Sequence, residues 1–379
     1  METTIENKTS TAWSDLAHTL GKDFGARAAE HDRNDTFVKE NYALLKDHRF
    51  FAAIIPEELG GEGMSYAQMC DILRILSRYC SSTALALSMH QHLLAANIWK
   101  YKQGKGGEEI LRKVANQQLI LVSTGANDWL ESNGKLVKTK DGYLFTGEKH
   151  FASQSPVGNV LITSGAYEDP ETGWQVLHFP VQMKAEGVSL IDNWYTLGMR
   201  GTGSQTVKLE SVFIPESSVV LRRPRGIYHL FYNVVLTVAM PLIMSVYVGI
   251  AEKAAHIATG VAMNKKDKTP SVKYLVGEMY NALTTAQVVS KDMISFCSEY
   301  NFAPEDHFGN NILMRKTIVA KACVETVNKA MEVAGGQSFY RYLELERLFR
   351  DVQGAAHHPL PEKEQQKFTS DFILKGSQA

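Results

Sequence analysis

The sequence is poor in cysteine and has no excess of charge of either sign. Its 379 residues include four cysteines, and none of them forms a C-x-x-C pair. That spacing argues against a zinc site or a disulfide framework, and it is typical of a reducing, cytoplasmic compartment. The 40 basic and 41 acidic side chains leave a net charge of −1. Nothing in this balance indicates binding to a nucleic acid or another polyanion.

Long apolar runs are also scarce. The first residues, Met1 to Thr11, are polar and have no apolar core of the kind a signal peptide needs. One stretch, Gly226 to Ala251, contains no Asp, Glu, Lys or Arg. It is interrupted by polar residues and by Pro241, so we interpret it as the end of a loop followed by a helix buried on all sides, and we expect no membrane span.

The motifs of several enzyme classes are missing. No G-x-G-x-x-G opens a βαβ unit, and neither a phosphate-binding P-loop nor a G-x-S-x-G nucleophile motif occurs. His90-Gln91-His92 has the composition of a metal-ligand pair, but residues i and i+2 of a helix point to different faces. We therefore expect His90 and His92 to be helix-surface histidines, and we expect no metal site.

Hydrophobic periodicity predicts helices, then strands, then helices. Ser65 and Gln68 form a capping box before an amphipathic stripe. From Gln118 to Pro224, short apolar runs alternate with turn residues, which predicts an antiparallel β domain. Three further helices are predicted at Pro241–Met263, Val272–Tyr300 and Ile312–Ala334, the last closed by Gly335-Gly336. The fold class is thus α+β, with domains at 1–118, 119–224 and 225–379.

Two unusual segments stand out from this pattern. Leu197–Ser204 clusters glycines and hydroxyls before a strand, which favours either a phosphate or flavin contact or an ordinary glycine-rich turn. Ala334–Asp351 ends in alternating Arg and acidic residues. Taken alone, this second segment is more typical of a salt-bridged helix end than of an anion cradle.

Together these segments resemble the acyl-CoA dehydrogenase superfamily over nearly the whole chain. The family has an early P-E-x-x-G-G segment, a G-x-Y-x-x-x-G-x-K hairpin, an L-G-x-R-G-T-x-S strand ending in V-x-V-P, and a C-terminal G-G followed by P-x-E-R-x-x-R-D. The similar segments here are Ile55–Gly61, Gly142–Lys149, Leu197–Ser204 with Val212–Pro215, and Gly335–Gly336 with Leu345–Asp351. Any one motif is weak, whereas four in order carry the resemblance.

The resemblance implies an N-terminal helical domain, a middle β domain and a C-terminal four-helix bundle that also forms the oligomer, most often a tetramer. It implies FAD, or alternatively FMN, between the β domain and the bundle. By alignment, Ser153 and Ser123 fall where the family places hydroxyls against the flavin, and Phe151 falls where an aromatic lies beside the ring. Gly335 and Gly336 fall where a neighbouring subunit's backbone meets the cofactor's diphosphate.

The sequence departs from the family at the catalytic base. The family's Glu stands most often eight residues after the Arg-Asp motif, which here is Pro359, or on the first bundle helix, which here aligns with Ala239. Neither side chain can accept a proton. The T-E-P-x-x-G-S-D loop is shortened to Ser123–Asp128, and Asn264–Lys268 replaces an R-x-x-F-G segment that meets FAD.

One residue near the vacant position matches a different branch. His358 lies seven residues after Asp351, where related two-component flavin monooxygenases place a histidine that acts as base. A pKa near neutrality would suit His358 to that role. The alternative is a surface histidine in a mobile C-terminal segment.

Three functions remain open at this stage. The first is α,β-dehydrogenation of an acyl-CoA, with His358, Glu362 or another residue as base and an electron-transfer flavoprotein as partner. The second is oxygenation of an aromatic or heterocyclic substrate, with reduced flavin supplied by a flavin reductase. The third is a flavin-binding protein without catalysis. Overall likeness ranks the dehydrogenase first.

Overall fold

The computed structural model describes residues 10–124, 130–264 and 270–376. In these ranges the elements follow the predicted order of helices, strands and helices. The helices are α1 Ser10–Asn34, α2 Lys39–Asp47, α3 Tyr66–Ser77, α4 Ser81–Lys102, α5 Glu108–Gln117, α6 Phe231–Asn264, α7 Pro270–Ser295, α8 Asp306–Ala334, α9 Leu345–Val352 and α10 Glu362–Gly376. The strands are β1 Leu121–Ser123, β2 Lys135–Lys138, β3 Gly142–Ala152, β4 Val160–Asp169, β5 Gly173–Gln182, β6 Val188–Ile191, β7 Gln205–Pro215 and β8 Leu221–Pro224.

Two of the predicted departures from the family lie partly outside these three ranges. Residues 125–128 of the shortened loop lie outside the described residues, and so do Lys265–Lys268.

The N-terminal helices begin where the sequence predicts. The Ser65 hydroxyl accepts a hydrogen bond from the backbone N–H of Gln68 at 3.2 Å. The side-chain carbonyl of Gln68 accepts one from the backbone N–H of Ser65 at 3.0 Å. This confirms the capping box at the start of α3. The apolar stripe behind it is buried, and α3 and α4 pack against α6 in one core shared by both helical regions.

The sheet is largely, but not wholly, antiparallel. Its strand order is β6-β7-β3-β2-β4-β5-β8, with β1 pairing with β4 in parallel. Leu121 of β1 packs into the helical core while Val122 packs into the sheet's own core, because successive side chains of a strand point to opposite faces. The short strand β1 is therefore the seam between the β domain and the helices.

Helix α6 begins earlier than predicted. It starts at Phe231, and Pro241, which we expected at its beginning, lies inside it. In the described ranges this is the one helix long and apolar enough to cross a membrane, but 94% of its most apolar window is buried inside the protein. The prediction of a helix buried on all sides is confirmed.

The C-terminal helices pack around α8. Helix α8 contacts α6 and α7 along its length and also carries α9 and α10. It ends at Gly335, whose φ of 66° and amide bonds to the last turn make it a glycine C-cap, as predicted. The acyl-CoA dehydrogenase type of architecture expected from the sequence is thus the one observed.

Candidate active site

A chain of buried hydroxyls lies at the end of β3. The Ser153 side chain, 6% exposed, is 2.8 Å from the Ser204 hydroxyl, which is 2.7 Å from that of Thr202. Ser204 and Thr202 belong to the glycine-rich segment before β7. The end of β3 and the glycine-rich segment Leu197–Ser204 therefore meet at this point.

An aromatic wall stands beside the hydroxyl chain. Phe151 is held with a φ of 57° and is 52% exposed. Its ring meets the edge of Trp194 at 6.1 Å, and the Trp194 indole N–H donates to the Met199 carbonyl at 3.1 Å. A large aromatic side chain that is exposed to water on a strained backbone is suited to pack against a planar ligand. Hydroxyls and an open aromatic wall fit a flavin ring.

Strand β1, which carries Ser123, is fixed from two sides. The Leu121 amide donates to Nδ1 of His90 at 3.0 Å, and the Leu121 carbonyl accepts from the Gln154 side chain at 2.7 Å. Gln154 follows Ser153 directly in the chain. Ser123 at the end of β1 is thereby tied to the same turn as the hydroxyl chain.

The expectation that His90 and His92 lie on a helix surface is wrong. His90 is fully buried and His92 is 8% exposed, because α4 is enclosed by α3, α5, α6 and β1 and has little free face. His90 also binds the Phe51 carbonyl through Nε2 at 2.9 Å. Burial lowers the pKa of both imidazoles to about 4, so both are neutral near pH 7.

His358 lies against the buried face of the bundle. Its Nε2 is 2.7 Å from the Tyr247 hydroxyl of α6. From α8, the buried Lys316 amine donates to the Leu360 carbonyl at 3.0 Å, which fixes the segment that follows His358. Burial, and then Lys316 and two neighbouring histidines, lower the pKa of His358 to about 3. This pKa lies below the near-neutral value that would suit a base, and the ring is neutral.

Two of the other candidate positions for a base have no carboxylate, and the third holds its carboxylate in a surface ion pair. Ala239 is buried within α6, and Pro359 stands between His358 and Leu360. Glu362 begins α10, and its carboxylate is 2.6 Å from the amine of Lys321, an exposed residue. That ion pair holds Glu362 toward solvent.

The Arg-Asp motif is structural. Asp351 is 2% exposed, and its carboxylate accepts the Met199 amide at 2.6 Å and the Ser81 hydroxyl. Arg350 pairs with Asp32 at 2.6 Å. The prediction of a salt-bridged helix end is confirmed, and these bonds lock the glycine-rich segment against α9.

Gly335 and Gly336 lie far along α8 from the level at which Lys316 holds the segment of His358. They end α8, 19 residues beyond Lys316, and a rise of 1.5 Å per residue separates the two levels by roughly 28 Å. A Cβ added to either glycine would meet nothing within 4 Å. Gly336 is exposed and Gly335 is half-buried in the single chain. Within the described residues no group of three or more His, Cys, Asp or Glu is arranged to hold a metal ion.

A helical domain, a small β domain and a helical bundle, with hydroxyls and an open aromatic ring at the end of β3, are the features expected of a flavin-dependent oxidoreductase. Two family descriptions match the chain: the acyl-CoA dehydrogenase N-terminal domain over residues 11–118 and the acyl-CoA dehydrogenase C-terminal domain over residues 242–362. They span more than half of its length, and the chain belongs to the acyl-CoA dehydrogenase family. Its members use FAD, and similar structures bind FMN.

Individual relatives differ in their named activities. A putative acyl-CoA dehydrogenase, YdbM of Bacillus subtilis, is 26% identical over 94% of both chains. The amino sugar nitrososynthase RubN8 of Streptomyces rubradiris is 25% identical over 86% of this chain and 81% of its own. The structure of KijD3 with FMN and dTDP-3-amino-2,3,6-trideoxy-4-keto-3-methyl-D-glucose superposes with a TM-score of 0.87, at 23% identity, covering 97% of this chain and 94% of that one.

Replacing Ser153 by Ala is expected to weaken flavin binding about tenfold. One hydrogen bond contributes about 0.5–1.5 kcal/mol, and 1.4 kcal/mol is tenfold in affinity. Fluorescence titration with FMN and FAD measures the change. Ser155→Ala is the control, because Ser155 is equally buried but donates to the Gly203 carbonyl instead of joining the hydroxyl chain. Equal affinity in both variants would move the flavin away from Ser153.

Proposed function

We propose that this protein is a monooxygenase that uses reduced flavin delivered by a separate reductase. The observation that carries the proposal is the pair formed by His358 and Tyr247. A neutral imidazole, hydrogen-bonded to a buried phenol, stands next to the position where a dehydrogenase of this family has a carboxylate.

Proton abstraction next to a thioester carbonyl needs a base. An imidazole with a pKa of about 3 is a weak one. Lys316 adds to this weakness, because a positive charge beside the ring opposes a second proton. The same neutral ring is well suited to donate a hydrogen bond to a reacting oxygen.

Tyr247 decides which nitrogen of His358 is the donor. Burial raises the pKa of Tyr247 well above its ordinary value, so the phenol keeps its proton. We assign the hydroxyl as the donor to Nε2, an assignment that puts the proton of the ring on Nδ1. We assign His358 the role of a hydrogen-bond donor, which differs from the role of base expected from the sequence.

The overall reaction balances as follows. When bound, reduced flavin supplies the two electrons that divide molecular oxygen. One oxygen atom enters the substrate and the other leaves as water, and oxidised flavin is released to the reductase. Ser153 and Ser123 hold the flavin edge, Phe151 and Trp194 exclude water beside it, and the Nδ1–H of His358 stabilises charge that develops on oxygen.

The cofactor and assembly follow the same proposal. FMN is favoured for loose exchange with a reductase, and KijD3 is described with FMN. FAD, as in dehydrogenases of the family, is the alternative. Gly335 and Gly336, roughly 28 Å along α8 from the level of Lys316, would serve the cofactor of a second subunit in a homotetramer.

A second candidate is α,β-dehydrogenation of an acyl-CoA with an electron-transfer flavoprotein as acceptor. It is favoured by relatives such as the cyclohex-1-ene-1-carbonyl-CoA dehydrogenase of Syntrophus aciditrophicus, 23% identical over 88% of this chain. In that reaction the neutral imidazole of His358 would have to accept the α-proton of the substrate.

One pair of experiments separates the two. The flavin-loaded protein is first titrated with an acyl-CoA panel without oxygen, and we expect its oxidised flavin spectrum to stay unchanged. The protein is then given reduced FMN, a panel of aromatic and heterocyclic compounds and oxygen-18 gas, and we expect one labelled atom in a product by mass spectrometry. Bleaching by an acyl-CoA without any labelled product would establish the dehydrogenase instead.

A further inference from the structure

One face of the sheet leads from Ser123 to a group of cations. Ser123 pairs with Ile162 across β1 and β4, and Ser164, two residues further along β4, pairs with His178 of β5. Side chains at paired and alternate positions point to the same face of a sheet. Two strand spacings and one alternate step along a strand place His178 on the face of Ser123, about 12 Å away.

Arg223 connects this point to the start of α6. Its buried guanidinium donates to Nε2 of His178 at 3.1 Å, to the Leu130 carbonyl at 2.7 Å and to the Tyr232 hydroxyl at 2.6 Å. The adjacent His229 accepts the Phe231 amide through Nδ1 at 3.2 Å. The sheet edge and the first turn of α6 thus enclose a fixed positive charge.

Lys100 completes the group from the end of α4. Its half-buried amine lies 4.5 Å from the centre of the Phe231 ring, and it makes no ion pair or hydrogen bond with any residue in the described ranges. Burial lowers the pKa of Lys100. A cation that is partly removed from water without an acid beside it is an unusual arrangement.

The field at His178 shows that these charges act together. Burial first, and then Arg223, Lys100, His229 and Lys149, lower the pKa of His178 to about 3. The acid at the first turn of α6, Asp306, accepts a hydrogen bond from the Asn233 side chain at 2.9 Å, and Glu131 is paired with Arg225 at 3.0 Å. The charged groups that act on the pKa of His178 are all cationic.

We propose that Lys100, with Arg223 and His229 beside it, binds an oxyanion group of the substrate, so that this protein acts on compounds bearing a phosphate, sulfonate or carboxylate. The reaction performed on that compound rests on the proposed function, whereas the binding of the anion does not. Lys100 would make the main new contact with the anion, since Arg223 already donates hydrogen bonds to protein groups. The Phe231 ring beside it offers an apolar surface to the rest of the ligand.

The test uses inorganic phosphate as the probe and the flavin-loaded protein. Isothermal titration is expected to detect phosphate binding that Lys100→Met weakens tenfold or more. Lys105→Met is the matched control, because Lys105 makes the same kind of contact, 5.0 Å from the Trp99 ring, outside the group. Circular dichroism and melting temperature check that both variants fold. Equal phosphate affinity in the parent and Lys100→Met would overturn the proposal.

FMN carries a phosphate of its own, so a second experiment must tell whether the site binds an anion of the substrate or the phosphate of the cofactor. Affinities for FMN and riboflavin are compared in the parent and in Lys100→Met. If both affinities are unchanged, the site belongs to the substrate, as proposed. If FMN binding alone falls, the site holds the cofactor's phosphate and the substrate assignment is overturned. If phosphate binding depends on Lys100 but no labelled oxygen is incorporated, the anion site stands and the proposed function fails.

Discussion

His358→Ala is expected to lose 100-fold or more in turnover while still binding flavin. Removing one hydrogen-bond donor that faces developing charge costs about 10²–10³ in rate, equivalent to about 3–4 kcal/mol of barrier. The Tyr247 hydroxyl and the Lys316 contact to Leu360 hold the ring and its segment in one arrangement. Single-turnover oxidation of reduced FMN with labelled oxygen separates product formation from simple loss of the electrons to peroxide.

The matched control is a substitution at His357, the residue directly before His358. His357→Ala removes an exposed imidazole from the same segment, and it is expected to keep turnover within about threefold of the parent. Tyr247→Phe should fall between the two, because it frees Nε2 and no longer fixes the proton on Nδ1. If His357→Ala and His358→Ala lose turnover equally, the effect comes from the mobility of the segment and His358 has no direct role.

The features predicted correctly from sequence depend on contacts between near neighbours. The capping box at Ser65 and the glycine end of α8 at Gly335 each involve a few consecutive residues, so the pattern determines the structure. The order of helices and strands follows for the same reason. The position of Phe151 beside the hydroxyl chain was predicted from the family resemblance. Hydrophobic periodicity alone does not predict it.

The misplaced features depend on residues distant in sequence. His90 looks like a surface residue because its partners, Phe51 and Leu121, lie on other elements. The pairing of Tyr247 with His358 joins residues 111 positions apart. Lys316 left a signal that could have been used, since it falls at an apolar position of α8, four residues after Ile312 and three before Val319.

Lowering the pH from 7.5 to 5.0 is expected to destabilise the protein through His90 and His92. Their pKa values are about 4 in the folded chain against about 6.5 in an unfolded one. Above pH 6.5 both states are neutral and the stability is complete. Below pH 6.5 the unfolded chain takes up protons that the folded chain refuses, so stability is lost until about pH 4. At pH 5.0 the loss is about 2 kcal/mol for each histidine.

The geometry of His90 explains why it resists a proton. Its Nδ1 accepts the Leu121 amide, so its single proton is on Nε2 and faces the Phe51 carbonyl. A second proton on Nδ1 would point at the Leu121 N–H and break the anchor of β1. Urea unfolding at the two pH values measures the loss, and a double variant, His90→Gln with His92→Gln, isolates it from other titrating groups. The parent should lose about 4 kcal/mol more than the double variant, and an equal loss in both proteins would exclude these two histidines as the cause.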